Sequence, residues 1–417
     1  MNNKLFEYIF ACPSAYHATA HTADILRGRG FTELSEGEAM HLEKNKSYFV
    51  TRNGSSLIAF RLPEDFDSFM MTAAHGDSPS FKVKENAAIA TERFTRLSTE
   101  RYGGMISSTW MDRPLSIAGR AVVMTEDGIE SRLVDLKDPV AVIPNVAPHL
   151  DFKCEYDAKT DMLPLFSGDG DYADMIARAV GADKDEIIST DLFLYNPAPL
   201  TVVGDYVTAP RLDDLMCAFA SLEAFLSAEA SSAVQVFCLF DNEEVGSTTK
   251  QGAASTFLYD VLSGIAADFG KQLPVMLASS MLLSCDNAHA VHPNHPELAD
   301  KNHSVYMNGG VVIKYNANQK YTSDGISAGL FKAMMKKAGL PYQEYANRAD
   351  MRGGSTLGNI LNTQVSLNTV DIGIAQLAMH SCLETAGAQD TQKMVDALTV
   401  FFESKVKMLS DGIYDIR

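Results

Sequence analysis

The residues of this chain that could do chemistry are histidines and carboxylates placed just after apolar segments. Short apolar segments of this kind are typical of buried strands. Ligands of open α/β sheets collect beyond the carboxyl ends of the strands, so we expect these side chains to converge there. They are His75 and Asp77 after residues 69–74, Asp213 after the turn at Pro210, Asp241, Glu243 and Glu244 after 234–240, Asp286 after 276–285, and His380 beyond 369–374.

Two histidines with several carboxylates have the ligand chemistry of a hydrolytic zinc pair, in which one carboxylate bridges ions about 3.5–4 Å apart. The adjacent Glu243 and Glu244 could take two different roles, one facing a metal and the other facing the metal-bound water. Asp77 stands two residues after His75, where an acid can orient a metal-binding imidazole.

Each of these residues also has an ordinary structural explanation. About three in four lone histidines after a strand are structural, and paired acids in a turn are usually solvated. Five such positions at strand ends exceed what chance placement readily gives, so together they favour a metal site. Two other motifs are absent from the sequence: it contains no GxxxxGK[ST] phosphate loop and no HExxH zinc helix. The GGSTLG segment at 353–358 is interpreted as a tight turn.

The elements that must position these residues alternate between helices and strands. Alternation of this kind predicts an α/β sheet. Apolar periodicity predicts helices at 5–10, 14–29, 215–228, 256–269, 327–338 and 390–409, and strands at 47–51, 56–62, 69–74, 234–240, 311–315 and 369–374. Between about 85 and 209 the pattern changes to short β-rich pieces separated by turns. We therefore predict a discontinuous α/β domain at 1–85 and 208–417, interrupted by a β-rich insert at 86–207.

Composition narrows the class of protein further. The 417 residues are 46% hydrophobic and 21% charged, which is typical of a globular protein. The net charge of −18 disfavours nucleic acid and anionic membrane surfaces as partners. Six scattered cysteines without a CxxC pair indicate reduced thiols, and no apolar run reaches the roughly 18 residues that span a bilayer. We therefore expect a cytoplasmic protein.

Several longer motifs, in the same order, resemble the aspartyl aminopeptidase family of cocatalytic-metal peptidases. The matching segments run through nearly the whole chain and are AHGDSP (74–79), STWMDRPL (108–115), DNEEVGS (241–247), DNAHAVHP (286–293), IKYNAN (313–318), GGSTLG (353–358) and QLAMHS (376–381). The resemblance implies a central-sheet zinc-peptidase-like catalytic domain. It also implies that the β-rich insert is a dimerisation domain and that dimers assemble into a tetrahedral dodecamer.

The resemblance also implies a role for each matching residue. His75 and Asp286 would bind one metal, Glu244 and His380 the other, and Asp213 would bridge them. Glu243 would be the general base and Asp77 the partner of His75. His149 would enter a neighbouring subunit's active site, Lys314 would meet an acidic substrate side chain, and His292 would be a second histidine near the site.

The resulting hypothesis is an aminopeptidase that removes an N-terminal Asp or Glu from small peptides. Two alternatives use the same metal site: an aminopeptidase of broad or neutral specificity, and another binuclear-metal amidase. Gly76 and Ser80, which depart from the family's usual Thr and Cys, keep the broader specificity open. A third alternative, a silent shell-forming protein, is disfavoured because Glu243 accompanies all five ligands. Zinc is the first choice of metal, and cobalt and manganese suit the same mixed ligands.

Overall fold

The computed structural model describes residues 1–150, 155–168, 171–351 and 353–417. Its α-helices are α1 (Asn2–Ala11), α2 (Ala15–Gly28), α3 (Tyr172–Val180), α4 (Leu212–Ser227), α5 (Phe257–Asp268), α6 (Leu273–Ala278), α7 (Gly325–Ala338), α8 (Leu357–Gln364) and α9 (Asp390–Glu403). Among the described residues, none of these helices combines the length and apolar character needed to cross a bilayer.

The strands fall into four sheets. In chain order they are β1 (Thr32–Leu34), β2 (Ser47–Arg52), β3 (Ser56–Arg61), β4 (Phe69–His75), β5 (Ser80–Ala90), β6 (Thr95–Tyr102), β7 (Ser116–Thr125), β8 (Gly128–Asp135), β9 (Ala141–Val142), β10 (Leu165–Phe166), β11 (Ile187–Tyr195), β12 (Thr201–Val203), β13 (Tyr206–Ala209), β14 (Val234–Phe240), β15 (Met281–Cys285), β16 (Ala288–His289), β17 (Val311–Tyr315), β18 (Tyr342–Ala346), β19 (Asn368–Gly373), β20 (Ala375–Leu377), β21 (Glu384–Gly387), β22 (Val406–Ser410) and β23 (Ile413–Ile416).

The largest sheet has nine strands in the order β1-β2-β3-β14-β4-β15-β19-β17-β18. Its centre is parallel, because β4 pairs in parallel with β14 and β15, and β15 pairs in parallel with β19. The carboxyl ends of these four strands therefore lie along one edge. This confirms the predicted α/β class.

Two hydrophobic cores cover the two faces of this sheet. Successive residues of β4 alternate between them, with Met70 and Ala74 in one core and Met71 and Ala73 in the other. Helices α1, α2, α4, α7 and α9 cover the first face, while α5, α6 and α8 cover the second. Because β4 is buried along its whole length, it reads as a continuous apolar run rather than an alternating one.

The seven-stranded sheet is built from β5 to β11 in the order β8-β7-β11-β5-β6-β10-β9, and it has its own core. It begins at Ser80 and ends at Tyr195. Strands β12 and β13 join a third sheet with β21, β20 and β16, so residues 201–209 pair with strands from late in the chain. The division at 86 and 207 remains a prediction, and sheet membership would place the limits of the insert at 80 and 195.

Some elements differ from those expected. The helix predicted at 390–409 ends at Glu403, because the chain then forms the hairpin of β22 and β23 around Gly412, whose φ of +76° suits a tight turn. Helices α3, α6 and α8 were not predicted. They are short, at nine, six and eight residues, so they offer little periodicity to detect. The GGSTLG segment leads directly into α8 at Leu357.

Candidate metal centre

The candidate site lies where the central parallel strands end. His75 is the last residue of β4 and pairs with Phe240, the last residue of β14. The chain leaving β14 forms a turn of 3-10 helix at Glu243–Val245. Asp286 directly follows β15 on the other side of β4. The sheet order therefore brings together residues that are far apart in the sequence.

Asp213 is the centre of the cluster. Its Oδ1 lies 3.7 Å from His75 Nε2, and its Oδ2 lies 3.5 Å from His380 Nε2. His380 Nε2 lies 3.4 Å from Oε2 of Glu244. Each oxygen of the Asp213 carboxylate thus faces a different imidazole, which is the arrangement a bridging carboxylate needs.

Two acids complete the deep side of the cluster. Oxygen atoms of Asp213, Asp214 and Asp286 lie within 4.8 Å of one another, and all three residues are buried. Asp214 accepts a hydrogen bond of 3.2 Å from the main-chain N–H of His75. The sequence offers one signal of the involvement of Asp214, which is its position directly after Asp213.

The cluster fits divalent metal ions. Oδ1 of Asp213 and Oε1 of Glu244 are buried and have no hydrogen-bond partner, which is costly unless a cation meets them. Atoms of His75, Asp213 and Glu244 also lie within 4.8 Å of one another, and imidazole nitrogen with carboxylate oxygen is a donor set that zinc accepts. Burial and the neighbouring charge of Asp213 raise the pKa of Glu244 well above its usual value. A bound cation would oppose this shift.

Glu243 stands apart from the ligands. Its Oε2 lies 4.0 Å from His75 Nε2, and its side chain is 13% exposed, against 4% for Glu244. Burial, with added repulsion from Asp286, Asp77 and Asp213, raises the pKa of Glu243 to about 8. Nearby cations would lower this pKa and leave a carboxylate that can accept a proton.

Two further acids hold the main chain of the site rather than facing its centre. Asp77 accepts hydrogen bonds from the N–H groups of Glu243 (3.1 Å) and Glu244 (3.2 Å), and its Oδ1 lies 3.3 Å from His75 Nδ1. The hydrogen bond of His75 Nδ1 is to the main-chain oxygen of Asp77, at 3.0 Å, so both the carbonyl and the carboxylate of Asp77 lie beside the imidazole, and the pairing stays a prediction. Glu384 accepts from the N–H groups of Asp213 (3.0 Å) and His380 (2.7 Å), and nothing in the sequence pattern pointed to it.

Lys314 is buried beside Asp286. Its side chain is 2% exposed, and Nζ donates to the carbonyl oxygens of Asp286 (2.8 Å) and Asn287 (3.3 Å). Nζ is also 3.7 Å from Oδ2 of Asp286 and 5.1 Å from the centre of the Tyr321 ring. The ammonium is therefore not solvated, and two of its three N–H bonds point to main-chain oxygens.

The predicted histidines at 149 and 292 do not join the cluster within this chain. His149 is exposed in the segment before residues 151–154, which lie outside the described residues. His292 is exposed, and its ring lies 5.2 Å from that of His295. His289, in the same motif, is also exposed, and its ring lies 6.4 Å from that of Tyr345.

Comparison with known proteins agrees with this geometry. The family model described as aminopeptidase I zinc metalloprotease (M18) matches residues 8–402. The chain belongs to the M18 family. It is 40% identical, over 96% of its length and 98% of the relative's, to a probable M18 family aminopeptidase 2 of Clostridium acetobutylicum. The aspartyl aminopeptidase resemblance is therefore confirmed, because that family is M18.

Solved structures share the fold. A chain of the Ape4 and Nbr1 complex superposes with a TM-score of 0.92 at 32% identity, covering 96% of this chain and 85% of that one. The mApe1 dodecamer of S. cerevisiae gives a TM-score of 0.86 at 28% identity, covering 96% of both chains. The M18 chain described here is thus a metal-dependent aminopeptidase and a hydrolase.

The bridging position of Asp213 gives the first testable prediction. Asp213→Asn should bind fewer zinc ions than the unaltered chain and bind them at least about a hundredfold more weakly, because the amide offers one neutral oxygen where the carboxylate presents an oxygen toward each imidazole. Titration of metal-free protein with zinc, followed by calorimetry, measures both quantities. Asp390→Asn is the control, since Asp390 is 1% exposed but binds the main chain of Asn308 and Gly310 instead. Two zinc ions with unchanged affinity in Asp213→Asn would contradict the assignment.

Proposed function

We propose that this M18 protein is a two-metal aminopeptidase that removes a single N-terminal residue, Asp or Glu, from small peptides. The observation that supports it most is that both oxygens of Asp213 face imidazoles while Glu243 stays outside the ligand group. On this proposal His75 and Asp286 would hold one ion, Glu244 and His380 would hold the other, and Asp213 would be shared between them. Zinc is the metal named by the family model, and two ions per chain are part of the proposal.

The chemistry follows from these positions. Two divalent ions would polarise the scissile carbonyl and lower the pKa of the attacking water. The carboxylate of Glu243 takes the proton from that water and delivers it to the leaving amine. The hydrogen bonds of Asp77 to the N–H groups of Glu243 and Glu244 keep the base and the ligand at a fixed separation.

The adjacent glutamates provide a matched pair of variants. Glu243→Gln should keep both metal ions and lose about 10²–10⁴ in kcat, because it removes a general base and no ligand. Glu244→Gln should instead lower the affinity for one ion. Metal content by mass spectrometry and turnover of aminoacyl amides separate the two effects. Unchanged turnover in Glu243→Gln would show that another group accepts the proton.

Acidic specificity depends on Lys314. The buried ammonium donates two hydrogen bonds to main-chain oxygens, and its third N–H, 3.7 Å from the Asp286 carboxylate, would form a charge-assisted hydrogen bond with the side-chain carboxylate of the substrate's first residue. A second function is favoured by the same contacts: if Lys314 serves only to hold Asp286 and Asn287, the pocket accepts neutral residues and the enzyme is a broad aminopeptidase. Both versions use the same metal centre.

Lys314→Met decides between these two functions. If Lys314 binds substrate, kcat/KM for aspartyl and glutamyl amides should fall by about one to two orders of magnitude, since such a bond contributes about 1.5–3 kcal/mol. Leucyl amides should be unaffected or improved. Equal losses of kcat/KM on all three substrates would show that Lys314 only holds Asp286 and Asn287 in place and does not bind the substrate.

Lys332→Met is the matched control for Lys314→Met. The Lys332 ammonium lies 5.2 Å from the Tyr315 ring and 2.8 Å from a carboxylate oxygen of Glu344, as Lys314 lies beside Tyr321 and Asp286. The Lys332→Met variant should leave kcat/KM unchanged for all three substrates. A wild-type enzyme that prefers leucyl to aspartyl amides would overturn the acidic specificity outright.

Assembly into a homo-oligomer, a dodecamer built from dimers, is also part of the proposal. The related S. cerevisiae mApe1 structure is a dodecamer. The seven-stranded sheet supports an interface here, because Met124, Ile129, Leu133 and Ile188 on three of its strands are exposed apolar side chains. His149, exposed in the same part of the chain, would then act across that interface.

Co-expression of two inactive forms tests the role of His149. His149→Ala chains retain Glu243, and Glu243→Gln chains retain His149, so a mixed pair can assemble one site that has both residues. Activity of the mixture should therefore exceed that of either variant alone. Light scattering should show the assembled species. An active monomer, or a mixture no more active than its parents, would contradict the proposal.

A further inference from the structure

Asp77 connects the metal centre to the seven-stranded sheet. Besides its bonds to the N–H groups of Glu243 and Glu244, its Oδ2 accepts a hydrogen bond of 2.7 Å from the hydroxyl of Tyr102. Tyr102 is the last residue of β6. The carboxylate that holds the base and a metal ligand is therefore itself held by a residue from another sheet.

The Tyr102 hydroxyl has a second partner on the same turn. It accepts a hydrogen bond of 2.8 Å from Nδ2 of Asn242, the residue directly before Glu243. Oδ1 of Asn242 in turn accepts from Thr249 (2.9 Å) and Gln251 (2.7 Å). The Tyr102 hydroxyl is thus linked to the turn in two ways. One link runs through Asp77 to the N–H groups of Glu243 and Glu244, and the other is the direct bond from the side chain of Asn242.

The position of Tyr102 is itself well defined. Its ring packs edge-on against Phe193 of β11, with ring centres 5.3 Å apart. The next residue, Gly103, lies so close to Glu244 that a Cβ would stand 3.1 Å from the Glu244 Cβ. The end of β6 therefore lies directly against the ligand side of the turn.

We propose that Tyr102 is a positioning residue for the reaction, which fixes the turn carrying Glu243 and Glu244 through Asp77 and Asn242. The inference rests on the roles assigned to Glu243 and Glu244 in the proposed function. It gives the seven-stranded sheet a part in building each active site within its own chain, separate from any contact between subunits. Displacement of a base or ligand by about 1 Å can cost about a hundredfold in rate, so one hydroxyl has a large effect.

Tyr102→Phe in the zinc-loaded, full-length enzyme tests this role. Loss of a hydrogen-bonding partner behind a metal site costs about 10–100-fold in activity or metal affinity. We expect kcat to fall by about that factor with KM within about twofold, and zinc transfer to a chelator to become faster. The unfolding temperature and the assembly state should match those of the control.

Tyr195→Phe is the matched control. Tyr102 and Tyr195 both line a cavity of about 470 Å³. Tyr195 belongs to β11 of the same sheet and donates an equally short hydrogen bond of 2.7 Å to Asp135. That bond lies within the sheet and does not reach the Glu243 turn. Equal kcat and equal zinc release in the two variants would overturn the proposal.

Asn242→Gly provides an independent variant. Asn242 has φ of +61°, which glycine adopts without strain, so the backbone should persist while the bond to Tyr102 is lost. The kcat of Asn242→Gly should therefore fall. In the double variant with Tyr102→Phe, kcat should fall by less than the product of the two single effects, because both substitutions remove the same hydrogen bond. Full additivity would overturn the coupling.

Zinc release separates failure of this proposal from failure of the proposed function. If Glu243→Gln kept full turnover, Glu243 would lose its role as base, yet faster zinc release in Tyr102→Phe would still support the link from Tyr102 to Glu244. Normal zinc release together with normal kcat in Tyr102→Phe would overturn the link itself, whatever Glu243 does.

Discussion

Mutual repulsion among buried carboxylates is the constraint on which the rest of this structure depends. Asp213, Asp214 and Asp286 are at most 8% exposed and have oxygen atoms within 4.8 Å of one another, with Glu243 and Glu244 alongside. Buried negative charges without compensation are strongly disfavoured. The imidazoles and Lys314 supply part of the compensation. The unpartnered oxygens of Asp213 and Glu244 indicate that bound cations supply the remainder.

Main-chain N–H groups supply the other source of positive potential. Asp77 accepts hydrogen bonds from the N–H groups of Glu243 and Glu244. Glu384 accepts hydrogen bonds from the N–H groups of Asp213 and His380. These bonds stabilise the outer acids and at the same time fix the loops that carry the inner ones. Charge compensation and positioning are thus achieved by the same contacts. His380, whose φ of +66° is unusual for a residue with a side chain, is held in this way by Glu384.

Much of this centre could be predicted from sequence because its ligands follow apolar strands. Strand β14 was predicted with its observed limits, and residue type with strand-end placement gathered His75, Asp213, Glu244, Asp286 and His380 within a larger set of candidates. The family resemblance, not the placement, singled out these five as ligands. Contacts to the main chain leave no such signal. Glu384, the attachment of Lys314 to the carbonyl of Asp286, and the hydroxyl of Tyr102 depend on three-dimensional approach between distant segments, which neither periodicity nor spacing reports.

The two imidazoles differ sharply in their access to water. His75 is 1% exposed and enclosed by the sheet, whereas His380 is 34% exposed. Exchange of a bound group with the surrounding solution requires a path, and the structure offers one on the His380 side of Asp213. A chelator or a competing ion in solution would therefore reach a metal held at His380 before it reached one held at His75.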